Sequence, residues 1–171
     1  MSLKPAVSNA DHAQGKLDAA LIIVEYGDYQ CPYCGAAYPI LKELMSQFGN
    51  QIKFVFRNFP LSEMHQYARM AAIATEAAAL QGKFWEMHDA IYENQRNLNE
   101  NLLMKLAGKL NLNIPQFEKD LENPELAEKV DADFESGIVS GVNGTPSFYV
   151  NGKKFDGGAE DLFQLLIANE E

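Results

Sequence analysis

Cysteine is scarce in this sequence, with two in 171 residues, both inside the string Cys31-Pro32-Tyr33-Cys34. That excludes a structural disulfide framework, which needs several bridges closing wide loops. Histidine is equally thin: His12, His65 and His88 stand far apart, with none at paired ligand spacing. A structural zinc site usually wants four Cys or His ligands, so no metal and no cofactor is expected. Basic residues are in deficit, 14 Lys and Arg against 24 Asp and Glu for a net charge of −10. A phosphate backbone needs a basic face, so nucleic acid is excluded as a partner. Long apolar runs are missing too, since nothing approaches the ~20 residues of a membrane span. The longest small-residue run, Ala71 to Leu80, is broken by Thr75 and Glu76. There is no internal repeat and no low-complexity segment. No basic stretch followed by an apolar one opens the chain, so no signal peptide is read there.

What remains is a length that suits one domain and an ordinary apolar fraction of 47%. Residues 1–18 are polar and weakly patterned, and a loose lead-in is expected. Leu21 to Tyr26 reads as a strand buried on both faces. Pro32 suits the first turn of a helix reaching about Phe48, with Gly49-Asn50 as its stop. Ile52 to Arg57 alternates with period two, a second strand. The middle is helical: Met64 to Gln81, Lys83 to Asn94, and a helix capped by Asn99 and running to about Leu110. Pro115 and Pro124 open two more, ending near Ser140, the last interrupted by Gly137. Ser147 to Val150, the hairpin signal Asn151-Gly152 and Lys153 to Phe155 give two short strands. A helix from Ala159 to Asn169 closes the order β-α-β, helices, β-β-α.

The cysteine pair therefore sits at the turn between a strand and a helix. Unpaired N–H groups at a helix start favour a thiolate there, and the second thiol lies about one turn on. Thiol–disulfide exchange is the chemistry this arrangement fits. Cys31 is the candidate nucleophile and Cys34 the resolving thiol, with Pro32 and Tyr33 tuning the pair. A tyrosine between the cysteines adds no positive charge, and Glu25 and Asp28 nearby are expected to oppose the thiolate. His65 and His88 read as ordinary helix-surface or core histidines. Phe84 and Trp85 read as core. Met64, Met70 and Met87 read as core filler before groove lining.

Four blocks, in order, resemble the DsbA-like branch of the thioredoxin fold. They are Glu25-Tyr26-Gly27-Asp28-Tyr29-Gln30-Cys31-Pro32-Tyr33-Cys34, Asn58-Phe59-Pro60-Leu61, Gln81-Gly82-Lys83-Phe84-Trp85-Glu86-Met87-His88, and Gly141-Val142-Asn143-Gly144-Thr145-Pro146. The resemblance spans roughly residues 19–168. It implies an α/β thioredoxin fold with an inserted all-helical subdomain. Its parts would be a lead-in over 1–18, a first half with the CxxC over 19–62, a helical insertion over 63–140 and a second half over 141–171. It implies a cis peptide at Thr145-Pro146, packed on the cysteines and presenting the Thr145 backbone to an extended substrate. It also implies that Glu25, as a buried acid, moves a proton to or from Cys34.

The function so implied is a thiol–disulfide oxidoreductase acting on protein cysteines and donating disulfides; with Tyr33 uncharged and Glu25 and Asp28 nearby, a milder oxidant than DsbA is expected. Its setting would be extracytoplasmic, with a membrane partner that reoxidises the pair. Isomerases of this superfamily carry an added dimerisation module, for which the 18 residues ahead of the first strand are too few; a monomer is the favoured state. Three alternatives stand beside it: a reductase or isomerase, a glutaredoxin (which lacks a large helical insert), and a non-catalytic peptide-binding domain such as one cut from a larger membrane protein.

Overall fold

Two strands rich in β-branched and aromatic residues make the spine of the molecule. The computed structural model describes residues 1–170. In it β2 (Leu21–Gly27) and β3 (Ile52–Asn58) pair in parallel, with Glu25 beside Phe56. The right-handed crossover expected of a βαβ unit is supplied by α1 (Pro32–Phe48). Antiparallel strands complete the sheet in the order β1-β3-β2-β4-β5, where β1 is His12–Gly15, β4 Ser147–Val150 and β5 Lys153–Phe155. Asn151 and Gly152, both at positive φ, turn β4 into β5, as an Asn-Gly hairpin requires.

Because side chains alternate across a strand, β2 feeds two cores. Ile23 packs on Ala37, Leu41 and Leu44 of α1 and on Leu162 and Leu166 of α7 (Ala159–Ala168). Val24 and Tyr26 face the other way, with Phe59, Val142 and Tyr149. Between β3 and β4 run α2 (Ala68–Ala79), α3 (Phe84–Glu93), a 3-10 turn (Gln95–Asn97), α4 (Glu100–Lys109), α5 (Ile114–Leu121) and α6 (Pro124–Ser140). The apolar faces of these helices build a third core that includes Tyr29, Cys31 and Cys34. The cysteines thus lie on the seam between sheet and helical block.

Four expectations need correcting. The lead-in is not loose: residues 12–15 form β1 on the open edge of β3. No periodicity announces it, because long-range polar pairs hold it. Arg57 and Asp11 form a buried ion pair at 2.8 Å, His12 Nε2 lies 2.8 Å from Glu76, and Leu3 donates its N–H to Gly152. The helix expected from Met64 begins only at Ala68. The preceding residues turn instead, with His65 drawn 2.8 Å from Asp28 and the Tyr67 N–H given to Gln30 Oε1. Finally, Gly137 does not interrupt α6. A Cβ there would come within 2.6 Å of the Phe59 ring, so glycine is what lets this helix approach the sheet. Met87 is core as read, whereas Met64 is 75% exposed.

Candidate active site

The strand-to-helix turn is fixed from below by one carboxylate. Asp28 is buried, and its Oδ1 accepts from the N–H groups of Gln30 (2.8 Å) and Cys31 (3.2 Å). Its Oδ2 accepts from the Leu61 N–H at 2.9 Å and pairs with His65 Nδ1 at 2.8 Å. From the side, Gln95 Nε2 donates to the carbonyls of Tyr29 and Cys31 at 2.9 and 2.8 Å. Gly35 makes room for this, since a Cβ there would lie 2.0 Å from Gln95 Oε1. The turn is therefore clamped by both the βαβ unit and the helical block.

Cys31 is the N-cap of α1, extended at φ −68°, with Pro32 first in the helix. Its thiol is pulled down to about 5 from the ordinary cysteine range. Hydrogen bonding from the Cys34 thiol is the largest cause; burial opposes it, and Thr145 and the N–H groups of Cys34 and Tyr33 add to the lowering. A thiolate is the form expected near neutral pH. Both thiols are free, and Cys31 Sγ lies 3.6 Å from the Thr145 carbonyl. The Thr145–Pro146 peptide bond is cis. Tyr33 stands 75% exposed on the rim.

Cys34, one turn in, is the opposite case. Burial, and the neighbouring Cys31 and Glu25, push its thiol well above the usual range. Its sulfur receives the Asp28 N–H at 3.4 Å. Glu25 is 2% exposed on the α1 side of β2, and burial raises its carboxyl to about 8. Its Oε1 has no hydrogen-bond partner among the described residues. Glu25 therefore carries a proton at neutral pH, and Asp28 spends its oxygens on four donors, so the expected opposition of these acids to the thiolate is not what the site presents.

The structure thus brings together every residue the sequence singled out: Glu25, Cys31, Pro32, Tyr33, Cys34, Thr145 and Pro146. Around them stand Asp28, read from the sequence only as a charge, His65 and His88, read as ordinary histidines, and Gln95, which the sequence did not single out. Asp28 had a readable signal, since an Asp three residues ahead of a helix start often accepts the local N–H groups. Gln95 and His88 had none, because they arrive from the helical block. Groups of His, Cys, Asp and Glu able to hold a metal are absent among the described residues.

Similar proteins fit this geometry. A thioredoxin family model matches residues 7–167. The Na(+)/H(+) antiporter NhaA 1 of Salinispora arenicola is 41% identical over 153 residues, covering 90% of this chain and 23% of that protein. The NhaA 1 antiporter of Mycolicibacterium vanbaalenii is 38% identical over 170 residues, 97% of this chain and 28% of that one. The chain therefore spans about a quarter of the length of these curated relatives. Among solved structures, a thioredoxin-like oxidoreductase from Silicibacter pomeroyi is 26% identical at TM-score 0.78, covering 95% of this chain and 94% of its own. BdbD from Bacillus subtilis is 25% identical at TM-score 0.83, covering 99% and 96%. With a CxxC at the first βα turn, a cis X-Pro loop facing it and a match along nearly all its length, the chain belongs to the thioredoxin family.

Proposed function

We propose that this chain exchanges disulfides with protein cysteines through Cys31 and Cys34, and that it runs as a disulfide donor. The observation that carries the reading is the split between the two thiols, one lowered to about 5 and its neighbour raised. In the donor direction, a substrate thiolate attacks the oxidised pair and bonds to Cys31, and Cys34 leaves as the thiol once protonated. A second substrate thiolate then displaces Cys31. In the reverse direction, Cys31 attacks a substrate disulfide, and Cys34 resolves the mixed disulfide after giving up its proton. Glu25, buried beside Cys34, supplies that proton from its protonated form in the donor direction and takes it as the carboxylate in the reverse. The Thr145 carbonyl and Pro146 border Cys31, where an extended substrate backbone adds alongside.

A stabilised thiolate makes the reduced form the favoured one, hence an oxidant. A lowering to about 5 is less than the ~3.5 of DsbA, so a milder oxidant is expected. Titration of the pair against glutathione tests the direction. A potential above about −200 mV supports a donor, and one near the thioredoxin value of about −270 mV makes the chain a reductase. The same reading puts the protein outside the cytoplasm, as a monomer, with a membrane partner that reoxidises the thiols. Among the described residues, no helix is long and apolar enough to cross a membrane.

A second reading is favoured by the relatives named as Na(+)/H(+) antiporters, which contain a region like this chain. On that reading the thiol pair serves a membrane transporter beside it. Cys34→Ala separates the two: the covalent adducts it traps are varied protein substrates on the first reading and a membrane transporter on the second. A domain that only binds peptides traps nothing.

A further inference from the structure

Asparagine stands directly before glycine twice in this chain, at Asn143-Gly144 and at Asn151-Gly152. Such a pair can modify itself, because a residue without a side chain leaves its main-chain nitrogen unhindered for attack on the asparagine amide. What decides is whether the fold leaves the two groups free to meet. At Asn151 they are held. That residue stands at φ 47° in the turn between β4 and β5. Its Oδ1 accepts the Ile22 N–H at 2.8 Å, and its own N–H donates to the Ile22 carbonyl at 2.9 Å. Closing a ring there has to break the hold of β2 on the hairpin.

Asn143 is exposed in the connection from α6 to β4. Among the described residues nothing hydrogen-bonds its side-chain amide or the Gly144 N–H. A Cβ on Gly144 would meet nothing within 4 Å, so the segment has open space in which to turn. The loop is nevertheless fastened on either side of the pair. Val142 donates its N–H to the Gly137 carbonyl at 2.8 Å, and Ser147 Oγ donates to the Gly144 carbonyl at 2.7 Å. The next carbonyl along, that of Thr145, lies 3.6 Å from Cys31 Sγ. The two Asn-Gly pairs therefore differ in both freedom and place: one is locked in a hairpin, the other is loose beside the nucleophile.

We propose that Asn143-Gly144 is a site of spontaneous deamidation whose isoaspartyl product inactivates the thiol pair in ageing molecules. The effect on exchange rests on the function proposed above; the modification itself does not. The Gly144 nitrogen gives up its proton and attacks Cγ of Asn143. The N–Cγ bond forms, the Cγ–Nδ2 bond breaks and ammonia leaves, giving a cyclic imide. Water then opens the ring at either carbonyl. Cleavage at Cγ leaves aspartate. Cleavage at the main-chain carbonyl carbon leaves isoaspartate, with the chain now running through the side-chain carbon and a free carboxylate beside it. That path is longer, and the loop is fastened on both sides, so Gly144 and Thr145 have to move. The Thr145 hydrogen bond that helps to lower the Cys31 thiol is then lost, and the backbone edge offered to an extended substrate is displaced.

The test ages the full chain in mildly alkaline buffer and maps its peptides by mass spectrometry. A protein isoaspartate methyltransferase with labelled S-adenosylmethionine reports the isoaspartyl form. Asn143 should convert at least about tenfold faster than Asn151, since one hydrogen bond broken on the way is worth up to about a factor of ten. Oxidised glutathione then probes the reduced protein: the isoaspartyl fraction should form the Cys31 adduct about tenfold more slowly than fresh protein, the worth of one lost hydrogen bond. Asn143→Gln closes its larger ring poorly, so it should stay unmodified and keep the rate of fresh protein after the same ageing. Equal conversion at Asn143 and Asn151, or none at Asn143, overturns the proposal. So does an isoaspartyl form that reacts as fast as fresh protein. If fresh protein forms no adduct, the exchange function fails and the inactivation with it, while the ratio of the two asparagines still decides whether Asn143 is the modification site.

Discussion

Around Cys31 the rim of the site is made of helix-start N–H groups, the Thr145 carbonyl and an exposed tyrosine; around Cys34 the floor is made of a buried acid, a buried histidine and aromatic rings. The two thiols stand one helical turn apart, yet one is lowered and the other raised. The difference teaches that reactivity here is set by burial and hydrogen-bond donors rather than by net local charge. At the rim an anion is stabilised, chiefly by the hydrogen bond from the Cys34 thiol and then by the helix-start N–H groups, in a chain whose net charge is −10. The floor keeps its proton in reach through a group that is itself protonated near neutral pH.

The largest effect should come from removing the rim nucleophile. Cys31→Ser is expected to cut disulfide exchange with a dithiol peptide by at least about a thousandfold, as losing a nucleophile does in enzymes that work by covalent catalysis. The matching change on the floor, Cys34→Ala, should leave attack intact and trap mixed disulfides, visible by non-reducing electrophoresis. If Cys31→Ser and Cys34→Ala lose adduct formation equally, the two thiols are not divided as argued.

Below that stands Asp28→Ala. It removes the acceptor of three N–H groups and the partner of His65. Unsatisfied donors cost about 1–3 kcal/mol each, partly relieved by water, so a loss of roughly 3 kcal/mol in denaturant unfolding is expected. A loss below about 1 kcal/mol would mean that Asp28 does not hold the turn.

Glu25→Gln acts on the floor and its sign depends on pH. The folded carboxyl sits at about 8, against 4.5 for the ordinary side chain. Between those values the folded state keeps a proton that the unfolded state has lost, so wild-type stability falls as pH rises across the window and levels off above it. The Gln variant lacks that slope. At pH about 8 it should be more stable by a few kcal/mol, and near pH 4 the two should coincide. It should also slow the Cys34 step while sparing Cys31. Parallel stability curves would show that Glu25 is not the buried proton carrier.

The smallest effect is at the clamp between helical block and turn. Gly35→Ala pushes against Gln95 Oε1, the far end of a flexible side chain, and weakens its bonds to Tyr29 and Cys31. A cost of about 1 kcal/mol by thermal unfolding is expected. A variant as stable as wild type would remove Gln95 from the account of the rim.

Local chemistry is what made most of the fold readable. Asn99, Asn113 and Asn123 accept from their own helix starts, and Asn151-Gly152 carries its turn within two residues. Cys31 and Cys34 belong to the same class, since a strand, a proline and an amphipathic run announce the turn they sit in. The edge strand β1 is held by Arg57, Glu76 and the free edge of β3, all distant in sequence, so its own four residues carry no pattern. Asp28 was legible as a charge but not as an acceptor of four donors, because two of its partners, Leu61 and His65, come from beyond β3. His88 looked like any core histidine; only the packing of α3 against β2 puts its open nitrogen in the company of Glu25 and Tyr92.

The division between rim and floor is tested most directly by titrating the thiolates of the reduced protein, through ultraviolet thiolate absorbance and the rate of alkylation with iodoacetamide. The account expects one thiol to ionise near pH 5, assigned to Cys31 by its loss in Cys31→Ser, and no second ionisation below the ordinary cysteine range. Two thiols titrating together at about 8.5, the value of an unperturbed cysteine, would contradict it.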